Sequence, residues 1–189
     1  MLLRVREAAI WVARTIPTPA KQWIHKSRTL DRLSRGLFGS MVGGEPAVIR
    51  EGPMAGLLLV PGEHVSHAHL RGEYEIAVLR AVDQLVTPGM VCYDLGASIG
   101  YLSLLMARSA RRVYAFEPAP HAVEEMRRHV GANRMENIEI IPEAVADCEG
   151  EVTFGLTDVT YGSAIADGDT VWPTIRVKAT TLDAFARAH

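Results

Sequence analysis

The chain has 189 residues, a net charge of −2, 48% apolar residues and 22% charged residues. These values suit one soluble globular domain and exclude a low-complexity or disordered polypeptide. Two cysteines exclude a disulfide framework and favour a reducing compartment, so we expect a cytoplasmic protein. The apolar run at residues 8–13 is too short to span a bilayer.

The first 40 residues are basic, with eight Lys or Arg against two acids, which leaves −8 for the remainder. Pro17 and Pro19 break the first helical segment, and a second basic helix is predicted over 20–37. We interpret this segment as a helical extension packed on the acidic remainder, with peripheral contact to an anionic membrane as the alternative. No pattern of interleaved aromatic and basic residues supports RNA binding, so no nucleic acid partner is expected.

Residues 41–87 read as short strands followed by a helix. Apolar runs at 47–49 and 57–60 lie between glycines, and a helix is predicted over 73–86, ending before Pro88-Gly89. The three histidines of the region are His64, His67 and His69, of which the last two would share one face of a strand. We interpret them as polar residues of a surface hairpin. Zinc is the alternative, but it requires three or four organised ligands, so no metal is predicted.

The core α/β unit is predicted over 88–189. A strand runs to Asp94 and enters a turn containing Gly96 and Gly100, and Ser98 is expected to cap the next helix. A second strand ends at Glu117, 23 residues after Asp94, which is the spacing of a strand, a helix and a strand. A helix from residue 120, a third strand at 138–141 and an antiparallel addition at 151–154 and 174–178 follow.

The chemistry of the glycine turn favours one ligand class. A dinucleotide site requires Gly-x-Gly-x-x-Gly, but Ser98 and Tyr101 stand where the second and third glycines would fall. Asp94 would also repel phosphates, whereas S-adenosylmethionine carries no phosphate and brings two cationic groups. Glu117 can accept hydrogen bonds from two ribose hydroxyls. We therefore predict S-adenosylmethionine, with a nicotinamide or flavin dinucleotide and a turn without ligand as alternatives.

Seven short motifs occur in order from residue 70 onward. They are Gly72-Glu73-Tyr74-Glu75, Pro88-Gly89, the turn at 94–101, Ala115-Phe116-Glu117-Pro118, Ala144-Val145-Ala146-Asp147, Gly150-Glu151-Val152 and Thr181-Leu182-Asp183. On these motifs the chain resembles the FkbM-type family of S-adenosylmethionine-dependent methyltransferases. The resemblance implies a Rossmann-like class I methyltransferase fold of the α/β class.

The resemblance also implies the cofactor-binding residues. Glu117 would hold the ribose, and Glu75 would reach the ammonium end of the cofactor, with a solvated helix-start carboxylate as its alternative role. Ser98 replaces the asparagine usual in the family, so weaker contacts are expected there. The methionine portion of the cofactor would be surrounded by Asp94, Gly96, Ala97 and Gly100. The adenine would be flanked by Pro118, Glu143 and Ala144. The full set of implied cofactor-binding residues is Glu75, Asp94, Gly96, Ala97, Ser98, Gly100, Glu117, Pro118, Glu143 and Ala144.

The implied activity is methylation of a hydroxyl in a small molecule of the sugar, glycolipid or polyketide type. No residue is assigned as the catalytic base; the turn at 161–163 is interpreted as an ordinary loop, with a wall of the acceptor pocket as the alternative. The family pattern continues past His189 with further core strands, so we expect an incomplete sheet and the N-terminal portion of an enzyme. The alternative function is a truncated, non-catalytic module that binds the cofactor.

Overall fold

The computed structural model describes residues 44–156, 164–165 and 173–189. The predicted basic extension at 1–40 and the loop at 161–163 lie outside the described residues. The chain divides into two compact units, with the division between Tyr74 and Glu75. The predicted domain boundaries at 40 and 87 stay predictions.

The first unit contains a two-stranded sheet and a short helix. Strand β1 (Ala47–Val48) pairs antiparallel with β2 (Leu58–Leu59), which confirms the predicted short strands. Helix α1 spans His67–Arg71 and ends at Gly72, whose left-handed conformation brings the position of a Cβ to 2.2 Å from the carbonyl oxygen of Glu51. Glycine is therefore required at residue 72.

The predicted hairpin position of the histidines is wrong. Ser66 is the N-cap of α1, and the backbone N–H of Ser66 donates to Nδ1 of His69 at 3.0 Å. His69 is buried and its ring stacks on Tyr74, with centroids 4.0 Å apart. This capping box starts a helix where residue alternation indicated a strand. Across the described ranges, no three His, Cys, Asp or Glu side chains are grouped as metal ligands.

The second unit is built on a parallel sheet in the order β3-β4-β5. Strand β3 spans Val91–Leu95, β4 spans Arg112–Phe116 and β5 spans Ile138–Ile141. Helix α2 (Ile76–Leu85) precedes β3, α3 (Tyr101–Ala107) connects β3 to β4, and α4 (Pro120–Asn133) connects β4 to β5. Two strand-helix-strand connections between parallel neighbours confirm the predicted α/β fold.

A second sheet of four strands follows in the order β6-β9-β7-β8. Strand β7 (Gly150–Gly155) pairs antiparallel with β9 (Thr174–Thr180) and with β8 (Ala164–Ile165), and β6 (Ala144–Val145) pairs parallel with β9. The predicted antiparallel addition is confirmed. Strands β6 and β8 are additional elements.

The two faces of the parallel sheet carry different side chains. Val113 and Ala115 of β4 are fully buried on one face. Tyr114 and Phe116 alternate with them on the other face, where Phe185 lies with its ring centroid 5.1 and 4.8 Å from theirs. Phe185 belongs to helix α5 (Leu182–Ala188), which Thr181 caps. No helix in the described part of the chain is long and apolar enough to cross a membrane.

Candidate cofactor site

A cleft of about 300 Å³ opens where β3 and β4 end. Ligands of open α/β sheets bind at the carboxyl ends of the strands. The cleft is lined by Leu95, Gly96, Ser98, Glu117, Pro118, Ala119, His121, Ala122, Ala144, Val145, Phe154 and Ile165. Five of the ten predicted cofactor-binding residues are in this lining: Gly96, Ser98, Glu117, Pro118 and Ala144.

The turn after β3 is bound to the end of β4 through its backbone. The N–H groups of Gly96 and Ala97 both donate to the carbonyl oxygen of Phe116, at 2.9 and 2.8 Å. The N–H of Ser98 donates to Oε2 of Glu117 at 2.8 Å, and the N–H of Gly100 donates to the carbonyl oxygen of Ala97. These four N–H groups of the turn therefore have acceptors within the protein.

Ser98 does not cap α3, so that expectation is wrong. The N-cap is Gly100, and no side chain caps the helix. Ser98 has a φ of 51°, a left-handed conformation, and its backbone N–H donates to Glu117. Asparagine tolerates this conformation better than most residues, which gives the asparagine usual in the resembling family a backbone reason.

Glu117 is held in a fixed orientation at the edge of the cleft. Its Oε2 accepts from the N–H of Ser98 and its Oε1 from the N–H of Ala119, each at 2.8 Å. Each carboxylate oxygen has a second lone pair available for a ligand. Burial raises the pKa of Glu117, the two N–H donors oppose that shift, and the charge of Asp94 adds to it. The side chain, 6% exposed, can therefore accept a pair of hydroxyls at a defined position.

Asp94 lies behind the turn and does not line the cleft. It is 8% exposed, and Oγ of Ser103 donates to its Oδ2. Burial raises the pKa of Asp94, and hydrogen bonds from the side chain and backbone of Ser103 oppose the shift. Ser103 was not among the predicted site residues; the sequence feature that marks it is a serine within the apolar run of α3.

The two glycines of the turn have different roles. A Cβ at Gly100 would lie 2.5 Å from Cγ of Met126, so this glycine permits close packing of the turn on α4. A Cβ at Gly96 would meet no atom within 4 Å, and Gly96 lines the cleft. Ala97 is buried beside them and, like Gly100, is absent from the lining.

Glu75 and Glu143 are not among the residues that line the cleft. Glu75 is the N-cap of α2 with a φ of 47°, and it is exposed. Glu143 is half-buried, and its backbone N–H donates to the carbonyl oxygen of Ile141 at 2.8 Å. Their roles in cofactor binding stay predictions.

The lining also contains residues that the sequence analysis missed. His121 comes from the first turn of α4, and Phe154 and Ile165 come from β7 and β8. The apolar alternation of 151–154 predicted that Phe154 is in a strand, but no local pattern indicates which cleft that strand reaches.

No family model matches the chain. It is 35% identical over 86 residues to an uncharacterized protein of Methanocaldococcus jannaschii, covering 44% of this chain and 32% of that protein. It is 40% identical over 84 residues to tRNA wybutosine-synthesizing protein 2/3/4 of Arabidopsis thaliana, covering 39% of this chain and 8% of that protein. The chain therefore spans about a third of the first relative and less than a tenth of the second.

Among solved structures, Trm5 of Methanocaldococcus jannaschii in complex with adenosine is 26% identical, with a TM-score of 0.36, covering 47% of this chain and 27% of that chain. Several other similar structures are methyltransferases, with TM-scores from 0.32 to 0.39. These likenesses extend over part of each chain. The FkbM-type family stays a prediction.

Proposed function

We propose that the protein is an S-adenosylmethionine-dependent methyltransferase. The observation that carries this proposal is the position of the Glu117 carboxylate. The N–H groups of Ser98 and Ala119 orient it at the edge of the cleft, which lies at the carboxyl end of β4. A carboxylate with one lone pair open on each oxygen suits the two adjacent hydroxyls of a ribose.

The hydrogen bonding of the turn disfavours the dinucleotide alternative. A pyrophosphate site needs backbone N–H groups directed at the ligand. Here the N–H groups of residues 96, 97, 98 and 100 are bonded within the protein and are not directed at a ligand. A ligand with a ribose and without phosphate fits these groups better.

When bound, S-adenosylmethionine supplies an electrophilic methyl group for in-line displacement. The role of this chain would be to fix the ribose through Glu117, to position the acceptor and to exclude water. We assign no catalytic base.

For the acceptor we propose a small-molecule hydroxyl, as the resemblance to the FkbM-type family implies. One observation favours an RNA acceptor as the second candidate: the 40% identity over 84 residues to a protein named for tRNA wybutosine synthesis. Incubation with S-adenosylmethionine labelled in its methyl group, once with total RNA and once with a small-molecule extract, separates the two. Label in the RNA would contradict our first choice.

The cofactor proposal is tested by calorimetric titration with S-adenosylhomocysteine (SAH). We expect Glu117→Gln to weaken binding by about 1 to 3 kcal/mol, because the amide loses charge-assisted acceptance from the hydroxyls. The matched control is Glu124→Gln on the exposed face of α4, which should bind like the wild type.

Thermal melting of each variant reports whether the turn still folds, because Glu117 also holds the N–H groups of Ser98 and Ala119. Binding of NAD in place of SAH by the wild type, or equal SAH affinity of the wild type and a folded Glu117→Gln, would refute the proposal. SAH binding without transfer to either acceptor class would favour the non-catalytic module.

A further inference from the structure

Two apolar side chains from the four-stranded sheet face the cleft together. Phe154 of β7 and Ile165 of β8 are directly opposite each other in the antiparallel register, so their side chains lie on the same face of the β7–β8 pair. Both residues line the cleft. The β7–β8 pair is therefore one wall of the cleft, although it belongs to a different sheet from Glu117.

The two side chains are buried to very different extents. Phe154 is 6% exposed and packs in an apolar cluster with Ala119 and Ala122 of the start of α4 and with Ala144 of β6. Ile165 is 37% exposed. Phe154 thus attaches the wall to the Rossmann-like sheet, whereas Ile165 still has apolar surface that a ligand could cover.

The cleft has a polar part and an apolar part. Glu117 and the Ser98 backbone form the polar part, and Pro118, Ala144, Phe154 and Ile165 supply apolar surface. The alanine and proline side chains are small, which leaves room for a flat ring against them. A nucleoside matches this division, because its ribose carries hydroxyls and its base presents apolar faces.

We propose that the β7–β8 pair forms the wall against which the adenine ring of the cofactor packs, with Ile165 as the residue that covers the ring and sets its affinity. Phe154 fixes the position of this wall. The inference rests on the proposed function and deepens it, since it assigns the base end of the same site to residues outside the parallel sheet.

The test compares Ile165→Ala with Ile165→Val, titrating each variant with adenosine and with SAH. Loss of the apolar surface that Ile165 would place against the adenine should weaken binding roughly tenfold for Ala and less for Val. The factor should be the same for the two ligands, because both carry the adenine. Leu85→Ala is the matched control, since Leu85 is exposed on α2 and outside the cleft.

The outcomes separate this inference from the proposed function. A wild type that binds neither ligand refutes the proposed function and with it the wall. A wild type that binds SAH, with Ile165→Ala equal in affinity to Leu85→Ala, overturns the wall alone. A loss seen with SAH and not with adenosine also overturns it, because the contact would then be with the amino-acid end. Phe154→Ala should lower both the melting midpoint and the adenosine affinity.

Discussion

At the scale of single residues, Gly96 and Gly89 form a natural comparison. Both have left-handed backbones, with φ of 75° and 90°, and a Cβ at either would meet nothing within 4 Å. Each Gly→Ala substitution should therefore cost a similar free energy of unfolding, about 1 to 2 kcal/mol, from the backbone conformation. Only Gly96 lines the cleft.

We predict that Gly96→Ala lowers SAH affinity well beyond its effect on stability, while Gly89→Ala leaves the affinity unchanged. Urea unfolding and calorimetric titration of the two variants measure both quantities. Equal SAH affinities in the two variants would show that the ligand does not approach Gly96.

The buried Asp94 predicts a pH dependence of stability. Because burial raises the pKa of Asp94 in the folded protein above its ordinary value of 3.8, the folded protein keeps a proton that the unfolded chain has released. The stabilisation that this group contributes is therefore fully present below pH 3.8 and is lost as pH rises through the folded-state pKa. Asp94→Asn should remove a slope of up to about 1.4 kcal/mol per pH unit in this window.

Urea unfolding at a series of pH values, starting near 4, measures this slope. Asp183→Asn, at an exposed site in α5, is the control and should keep the wild-type slope. Ser103→Ala should extend the window to higher pH, because Ser103 opposes the rise of the Asp94 pKa. An unchanged slope in Asp94→Asn would show that the carboxylate is not desolvated in solution.

At the scale of elements, the glycine turn that follows β3 packs closely on α4. Met126 is fully buried, and a Cβ at Gly100 would lie 2.5 Å from its Cγ. We predict that Gly100→Ala destabilises the fold by about 1 to 3 kcal/mol through overpacking, in addition to the left-handed backbone cost. Met126→Ala alone should cost about 2 to 5 kcal/mol.

Because both changes concern one contact, the double variant should lose less than the sum of the two single losses. Urea unfolding of the four proteins of this cycle gives the coupling. Additive losses would mean that the turn relaxes away from α4 and that only the backbone conformation of Gly100 matters.

The elements that the sequence predicted well are those with a pattern of their own. Strands β3 and β4 contain continuous apolar runs, three of the four residues of β5 are isoleucine, and the turn chemistry of 94–100 is local. Strands β6 and β8 have two residues each, so they carry no periodicity and exist through pairing with β9 and β7. The start of α1 was missed because the alternate positions of His67 and His69 fit a strand. In the structure, Ser66 and His69 instead form the cap of a helix.

The residues of the candidate site also divide into those with a local sequence signal and those that depend on long-range packing. Gly96 and Glu117 were predicted because they lie directly after the strand ends of the parallel sheet, and Pro118 was predicted because the family resemblance implies it. Ile165 comes from the other sheet, where its approach to the cleft depends on the register of β8 against β7 and on the packing of Phe154. Such long-range contacts have no signature in the local sequence.

At the scale of the whole molecule, charge is distributed unevenly along the chain. Residues 1–40 carry eight basic residues against two acids, and the remaining residues carry a net −8. The cleft residues all belong to the second unit, between Leu95 and Ile165. Recognition of the cofactor and any attachment of the basic segment to an anionic surface should therefore be separable.

We predict that replacing the eight basic residues of the segment 1–40 with glutamine leaves SAH affinity unchanged and lowers any co-sedimentation with phosphatidylserine vesicles. About 1 kcal/mol per basic residue is available near such a surface, so the effect should be large at low salt and should weaken as salt screens it. Vesicles of neutral lipid are the control. Equal sedimentation of the wild type and the glutamine variant would rule out membrane attachment and favour packing of the segment on the acidic remainder, in which case the variant should melt at a lower temperature than the wild type.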